Sequence, residues 1–147
     1  MVMGMKHIDK IAREKNRDVV FVSFEPEVRK APYHAAPNHV YYGDTSWESD
    51  TNRAEFIQWL EERYVGHEPV AHFACESGFR AYNGCIYVDV PFDESDRRYE
   101  MVRHHLEHDD GQPRNPRVKF WVCALEDALK NAHHDEPGFW ENWADNF

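Results

Sequence analysis

The sequence predicts a single α+β domain, residues 1–147, in which helices pack on an antiparallel sheet. Three observations lead to this class. The chain has 147 residues, which is enough for one domain with a proper core and too few for two. Its composition is 41% hydrophobic and 30% charged, which is typical of a globular chain rather than a disordered one. From residue 18 onward, strand patterns and helix patterns follow one another along the chain.

The first elements are a short helix and a buried strand. Residues 6–15 have the periodicity of an amphipathic helix. Its apolar side consists of Ile8, Ile11 and Ala12. Residues 18–26 are apolar, β-branched and aromatic until Pro26, which is typical of a strand buried on both faces. Residues 27–50 contain prolines and little periodicity, and we interpret them as an inserted loop.

A longer helix and two strands are predicted next. The helix covers roughly residues 52–65, and Asn52 is placed to cap it. Its apolar stripe consists of Phe56, Ile57, Leu60 and Tyr64. Two strands lie on either side of Asn83-Gly84, a dipeptide typical of a tight hairpin turn because both central positions need positive φ. Ser77-Gly78 indicates a bulge in the first of these strands.

The last regular elements are a helix, a strand and a short helix. Asp93 is placed to cap a helix over roughly residues 93–108. The inward side chains of that helix are Tyr99, Val102 and Leu106. Residues 117–124 form the last strand, and residues 125–133 form the short helix.

The predicted order corresponds to two split strand–helix–strand units. Such units form the ferredoxin-like β-α-β-β-α-β arrangement, a four-stranded antiparallel sheet with two helices on one face. The sequence adds an N-terminal helix, a long inserted loop after strand 1 and a C-terminal aromatic helix. Because the helices cover one face only, the face that carries Tyr87 and Trp121 needs another cover.

Residues 138–147 form an aromatic and acidic tail. Its large side chains fall at the spacing of one helical face, and they are Phe139, Trp140, Trp143 and Phe147. In one interpretation the tail folds back over the uncovered face of the sheet as structural packing. In the other, it docks into a groove of another protein, with Trp140, Trp143 and Phe147 as the anchors.

The charge predicts what kind of partner the chain binds. Lys and Arg total 17 against 27 Asp and Glu, a net charge of −10, and neither Lys nor Arg occurs after Lys130. Such a field repels phosphate, which argues against direct nucleic-acid binding and favours a protein partner with a basic surface. No apolar run has the length of a membrane span, and the N-terminus lacks the apolar stretch of a secretion signal. With three scattered cysteines, these features predict a cytoplasmic protein with reduced thiols.

The inserted loop is the first candidate for a ligand-binding site. Long ordered loops inside a domain are uncommon and are often functional. The candidate ligand-binding residues are Tyr33, His34, His39, Tyr41, Asp44, Trp47 and Glu76. Aromatic rings mixed with His and Asp suit a small molecule or a peptide, and a His–Asp pair suits acid–base chemistry. The alternative is that this segment forms a small extra strand that covers the sheet edge.

Two histidines are candidates for a metal site. His104 and His108 lie four residues apart on one face of the predicted helix, where two imidazoles can share an ion. Glu107 lies beside the second of them, which differs from the zinc-protease pattern, and histidines near a helix C-terminus are also favoured by the helix dipole. No phosphate-binding glycine loop, Cys-x-x-Cys pair or nucleophile elbow occurs, so no cofactor is predicted.

These observations predict a small acidic cytosolic regulator or inhibitor that binds a basic macromolecular surface, with nucleic-acid mimicry as one form. A homodimer through the sheet is a second way to cover its aromatic face. The alternative is a small enzyme or small-molecule-binding protein with its site between the 27–50 loop and the sheet. An enzyme would enclose Tyr41, Trp47, Glu76 and His72 in a concave pocket, whereas a binder would present an acidic surface with aromatic side chains at its centre.

Overall fold

The computed structural model describes residues 5–25, 29–30, 40–41, 47–76 and 81–145. The strands in these ranges are β1 (Lys6–His7), β2 (Val19–Phe24), β3 (Arg29–Lys30), β4 (Val40–Tyr41), β5 (His67–Ala71), β6 (Ile86–Val88) and β7 (Val118–Cys123). The α-helices are α1 (Ile8–Lys15), α2 (Thr51–Glu62), α3 (Arg97–Leu106), α4 (Leu125–Leu129) and α5 (Phe139–Asp145). Two 3-10 turns cover Trp47–Ser49 and Ala132–Asp135.

Five of the strands form a mixed sheet in the order β1-β5-β6-β2-β7. Strand β2 is antiparallel to both of its neighbours, so that Val20 lies opposite Val88 of β6 and Val122 of β7. Strand β5 is antiparallel to β6, and the short β1 is parallel to β5 at the edge. Strands β3 and β4 pair with each other in a separate two-stranded sheet inside the 27–50 segment. The predicted α+β class is confirmed.

One face of the sheet is covered by α2 and α3. Alternate residues of β2, β6 and β7 point to these helices because side chains alternate between the two faces of a strand. The buried residues of this core are Val20, Val22, Phe24, Phe56, Leu60, Val65, Ile86, Val88, Val90, Tyr99, Val102, Leu106 and Val118. Tyr64, predicted to lie on the apolar stripe of α2, follows the end of the helix at φ 57° and is 90% exposed, whereas Val65 is buried.

The opposite face is covered by α1 and α4 rather than by the C-terminal tail. The buried residues of this second core are Ile8, Ile11, Ala12, Val19, Val70, Cys85, Tyr87, Cys123 and Ala128. Because the apolar side of α1 already packs against this face, Tyr87 is buried within the chain. Trp121 remains 47% exposed, and its indole Nε1 donates a hydrogen bond to Ser23 Oγ at 2.7 Å.

The prediction of a tight hairpin turn at Asn83-Gly84 was wrong. Strand β5 ends at Ala71 and β6 begins at Ile86, so a long connection joins these antiparallel neighbours. Gly84 has the positive φ that was expected, +100°, but Asn83 does not. Gly84 instead allows a close approach, because a Cβ added to it would lie 2.7 Å from Cβ of Trp47. The predicted bulge at Ser77-Gly78 lies outside the described residues.

The two long helices begin at carboxylate caps other than the predicted ones. Helix α2 is capped by Asp50, whose Oδ1 accepts the backbone N–H of Arg53 at 3.1 Å, and not by Asn52. Helix α3 is capped by Asp96 and not by Asp93, which instead accepts two hydrogen bonds in the preceding turn. Since Asp and Asn are nearly equivalent as caps, the sequence alone left several start points open.

The helices of the described ranges are short. Helix α2 has 12 residues and α3 has 10, which correspond to about 18 and 15 Å of rise. None of the described helices has both the length and the apolar character required to cross a membrane.

Candidate functional site

Three parts of the chain lie in contact with one another: the connection after β5, the 3-10 turn Ala132–Asp135 and the C-terminal helix α5. There Glu76, His133 and His134 form a group that we call the His–Glu cluster. Oε1 of Glu76 lies 2.7 Å from Nε2 of His133 and 2.6 Å from Nε2 of His134. The two imidazole rings lie 4.4 Å apart at 68°, so both reach the same carboxylate oxygen.

The members of the His–Glu cluster differ in burial. The side chain of His134 is 2% exposed, whereas those of His133 and Glu76 are about half exposed. Hydrogen bonds from the two imidazoles lower the pKa of the Glu76 carboxyl below its ordinary value. Nδ1 of His134 is buried and has no hydrogen-bond partner among the described residues.

Helix α5 is held against its own domain by aromatic contacts. The ring of Trp140 lies 4.7 Å from that of His134 and stacks on His7 at 5.7 Å. The indole Nε1 of Trp143 donates a hydrogen bond to the backbone carbonyl of Glu76 at 2.8 Å. Both tryptophans are half-buried against their own domain, but the sheet face that the tail was predicted to cover is covered by α1 and α4.

A buried ionic network positions the turn that carries the two histidines. Asp9 is 0% exposed, and its Oδ2 accepts hydrogen bonds from Arg13 Nη1 at 3.0 Å and Asn131 Nδ2 at 3.1 Å. Oδ1 of Asp9 accepts the backbone N–H of Ala74 at 3.0 Å. Arg13 also binds Asp135, with Nε and Oδ2 2.8 Å apart. The network thus joins α1 to both segments of the His–Glu cluster.

The stability of the protein should depend on pH through Asp9. Burial alone would raise the pKa of this carboxyl, but the hydrogen bonds from Ala74, Asn131 and Arg13 outweigh it and lower the pKa below 3.8. A lowered folded-state pKa gives stability that is complete above the unfolded value and is lost as the pH falls through the folded value. We therefore expect the free energy of unfolding to fall more steeply below pH 4 in the wild type than in Asp9→Asn.

Urea unfolding of both proteins at a series of pH values from 6 to 2 measures this difference. The gap between the two curves should narrow as the acid concentration rises, because protonation removes the charge that the variant already lacks. If the free energies of unfolding of the two proteins changed in parallel over the whole pH range, Asp9 would not be the group that causes the loss of stability in acid.

An open cleft of about 270 Å³ lies beside the His–Glu cluster. It is lined by Glu76, Glu136, Pro137, Phe139, Asn142 and Trp143. We call it the acidic cleft, because its lining combines two carboxylates with two aromatic rings and includes no Lys or Arg among the described residues.

The structure tests the predicted loop site only in part. The described ranges do not include Tyr33, His34, His39 or Asp44, nor the side chain of Tyr41. Trp47 contacts the guanidinium of Arg53 at 4.6 Å and the ring of Tyr82 at 4.9 Å. Glu76 lies in the His–Glu cluster, so the described contacts of Trp47 and of Glu76 involve different neighbours.

The other predicted candidates lie apart from this cluster. Nε2 of His104 lies 3.0 Å from Glu100, whereas Nδ1 of His108 lies 3.3 Å from Arg114. Within the described ranges, the group that can offer three metal ligands is the His–Glu cluster and not this pair. Phe147, the last of the predicted partner-binding anchors, lies outside the described residues.

The sequence did not predict the His–Glu cluster. Histidines near the end of a helix are favoured by the helix dipole, so His133 and His134 were not among the predicted metal ligands. The only local signal was the His-His-Asp run itself, since Glu76 lies 57 residues earlier in the chain. Finding the third member requires knowing where the connection after β5 runs.

Comparisons with known proteins identified no relative of this chain. No protein-family model matches the chain, and neither the curated proteins nor the solved structures give a significant match.

Proposed function

We propose that this chain is a small acidic regulator or inhibitor that binds a basic surface of another macromolecule. The observation that carries this proposal is the acidic cleft. Its carboxylates, Glu76 and Glu136, suit charge-assisted hydrogen bonds to an ammonium or guanidinium group. Its rings, Phe139 and Trp143, suit the cation–π contacts that such a group also makes.

The charge around the cleft supports the same proposal. The chain has a net charge of −10, and no Lys or Arg follows Lys130. The nearby Arg13 is engaged by Asp9 and Asp135 within the domain. A cation for the cleft is therefore expected from a partner, and the field of the chain accelerates its approach. Mimicry of nucleic acid, in which acidic side chains occupy a phosphate-binding surface, is one form of this function.

The size of the cleft favours a side chain over a cofactor. Its volume of about 270 Å³ lies just below the roughly 300–1,000 Å³ that enclose a drug-sized ligand. A lysine or arginine side chain needs less space than such a ligand. This comparison favours a binding protein over an enzyme that encloses its substrate.

The finer parts of the fold and location belong to the same proposal. A ferredoxin-like arrangement is supported by the antiparallel order β5-β6-β2-β7 with α2 and α3 on one face, while β1 and the helices on the other face depart from it. A cytoplasmic location is supported by Cys85 and Cys123, which are buried free thiols.

Binding of a defined basic probe tests the proposal. We expect a fluorescein-labelled peptide with a lysine-rich centre to bind the full chain, and a neutral peptide of the same length not to bind. Glu136→Gln should weaken binding about fivefold, or about 1 kcal/mol, because it removes one carboxylate from the cleft. Glu126→Gln makes the same change of charge on the exposed side of α4 and should alter binding less than about twofold.

Two results would contradict the proposal in different ways. Equal weakening by Glu136→Gln and Glu126→Gln would show that the peptide responds to the overall field and that the cleft has no special part. Absence of binding at low salt would exclude the basic-surface function altogether, because electrostatic attraction is strongest there.

A further inference from the structure

We propose that Glu76, His133 and His134 bind a divalent transition-metal ion of the zinc class. The candidate ligand atoms of the three side chains all lie within 4.8 Å of one another. Two imidazoles and one carboxylate form a donor set that zinc uses where a fourth position stays open for water or another group. The proposal concerns an ion bound by this chain, and it does not depend on a cationic partner in the acidic cleft.

The ligand atoms, which lie within 4.8 Å of one another, need to adjust by at most about 1.5 Å. Metal–ligand distances near 2.0 Å in a tetrahedron place neighbouring ligand atoms about 3.3 Å apart. The two Nε2···Oε1 distances are now 2.7 and 2.6 Å, so Glu76 must move outward by well under an ångström. Because the side chains of Glu76 and His133 are about half exposed, they have room for this change.

The burial of His134 is the second observation. Its side chain is 2% exposed, its Nε2 points into the cluster, and its Nδ1 has no hydrogen-bond partner among the described residues. Phe139 and Trp140 fix this ring at centroid distances of 4.8 and 4.7 Å. Because packing already holds the ring with Nε2 directed into the cluster, His134 is oriented as a ligand before an ion arrives.

The chemistry of the ligands selects the class of ion. Imidazole nitrogen suits Zn²⁺, Cu²⁺ and Ni²⁺, whereas Mg²⁺ and Ca²⁺ prefer sites made of oxygen ligands. Each imidazole would bind through the lone pair of Nε2, with the ring proton on Nδ1. Glu136 lines the adjacent cleft and adds to the negative potential that attracts a cation.

Binding should change the protein in two measurable ways. The ion would join the connection after β5 to the 3-10 turn of the two histidines, so the folded state should become more stable by mass action. Trp140 lies against His134, and Trp143 donates to the backbone of Glu76, so tryptophan fluorescence should report occupancy.

Titration of the full-length, chelator-treated protein with zinc chloride tests the proposal. We expect calorimetry and tryptophan fluorescence to show one equivalent bound, with a rise in melting temperature, and no such response to magnesium chloride. His133→Ala and Glu76→Gln each remove an exposed ligand and should weaken zinc binding at least about tenfold. His104→Ala is the matched control, since it removes an exposed histidine elsewhere, and it should bind zinc like the wild type.

Several outcomes would overturn the proposal. Absence of zinc binding by the wild type would contradict the proposed ligands. So would zinc binding by both His133→Ala and Glu76→Gln that is as tight as that of the wild type, or loss of zinc binding in His104→Ala. Loss in Cys75→Ser would also overturn it, because a thiolate would then belong to the ligand set. Melting curves of the apo variants separate loss of a ligand from loss of the fold. Glu76 belongs to both the cleft and the cluster, but His133→Ala leaves both cleft carboxylates intact and Glu136→Gln leaves all three ligands intact, so these two variants separate failure of the zinc site from failure of the cleft.

Discussion

Replacement of Asp9 by alanine is expected to lower the free energy of unfolding by about 3–5 kcal/mol, the usual cost of breaking a buried ion pair. Asp9 is fully buried, and the side chain of its partner Arg13 is only 7% exposed. Without the carboxylate, Arg13 keeps Asp135 alone as an ionic partner. The backbone N–H of Ala74 and the side-chain amide of Asn131 also lose an acceptor inside the protein, which adds a desolvation cost.

Urea unfolding at pH 7 measures this loss as a change in the transition midpoint at constant slope. Asp127→Ala is the control, because it breaks an exposed ion pair with Lys130 and should cost less than about 0.5 kcal/mol. The double variant of Asp9 and Arg13 should cost less than the sum of the single variants, since the two side chains share one network. A cost below about 1 kcal/mol for Asp9→Ala would show that the network contributes little to stability.

The same network connects stability to the proposed metal site. Asp9 and Arg13 belong to α1, and their partners Ala74 and Asn131 lie two residues from Glu76 and His133. The positions of the cluster's ligands therefore depend on side chains that bind neither ion nor partner. Support of this kind is usual for metal sites, where residues behind the ligands set their orientation.

Local patterns were sufficient to predict most of the secondary structure. Strands β2 and β7 were predicted from an apolar run and from alternating residues, respectively. Such patterns are visible in the sequence because strand periodicity and β-branched composition are properties of a few neighbouring residues. The apolar side of α1 was also predicted correctly. Helix starts were less certain, since Asp50 and Asn52 are both good caps and only the surrounding backbone decides between them.

Local patterns could not predict which helices cover each face of the sheet, or which residues come together in the site. An amphipathic α1 has an apolar side wherever it packs, so its periodicity does not say which face of the sheet it covers. The pair of Asp9 and Arg13 was visible as an i, i+4 pair on a helix, but such pairs are usually exposed, and this one is buried. Glu76 meets His133 across 57 residues, a contact that depends on the path of the whole intervening chain.

Replacement of Gly84 by alanine is expected to destabilise the protein by about 2–4 kcal/mol, from backbone strain and from overpacking together. Gly84 has a φ of +100°, and an added Cβ would lie 2.7 Å from Cβ of Trp47. That atom is next to the backbone, so the clash cannot be relieved by rotating the end of a side chain. The ring of Trp47 is also held by Arg53 and Tyr82, so the turn Trp47–Ser49 would have to move as a whole.

Gly111→Ala separates the two causes. Gly111 has a similar φ of +87° but nothing within 4 Å of an added Cβ, so alanine there should cost only the strain, about 1–2 kcal/mol. The excess cost of Gly84→Ala over Gly111→Ala, measured by urea unfolding, is then the steric contribution of the neighbours, mainly Trp47 Cβ at 2.7 Å and to a lesser extent Arg53 Cδ at 3.4 Å. Equal costs would mean that the approach of Trp47 to Gly84 is not tight in solution. A clear excess, accompanied by a change in tryptophan fluorescence, would show that Gly84 fixes the C-terminal end of the 27–50 segment against the sheet, because the contact with Trp47 is the tightest feature that distinguishes the two glycines.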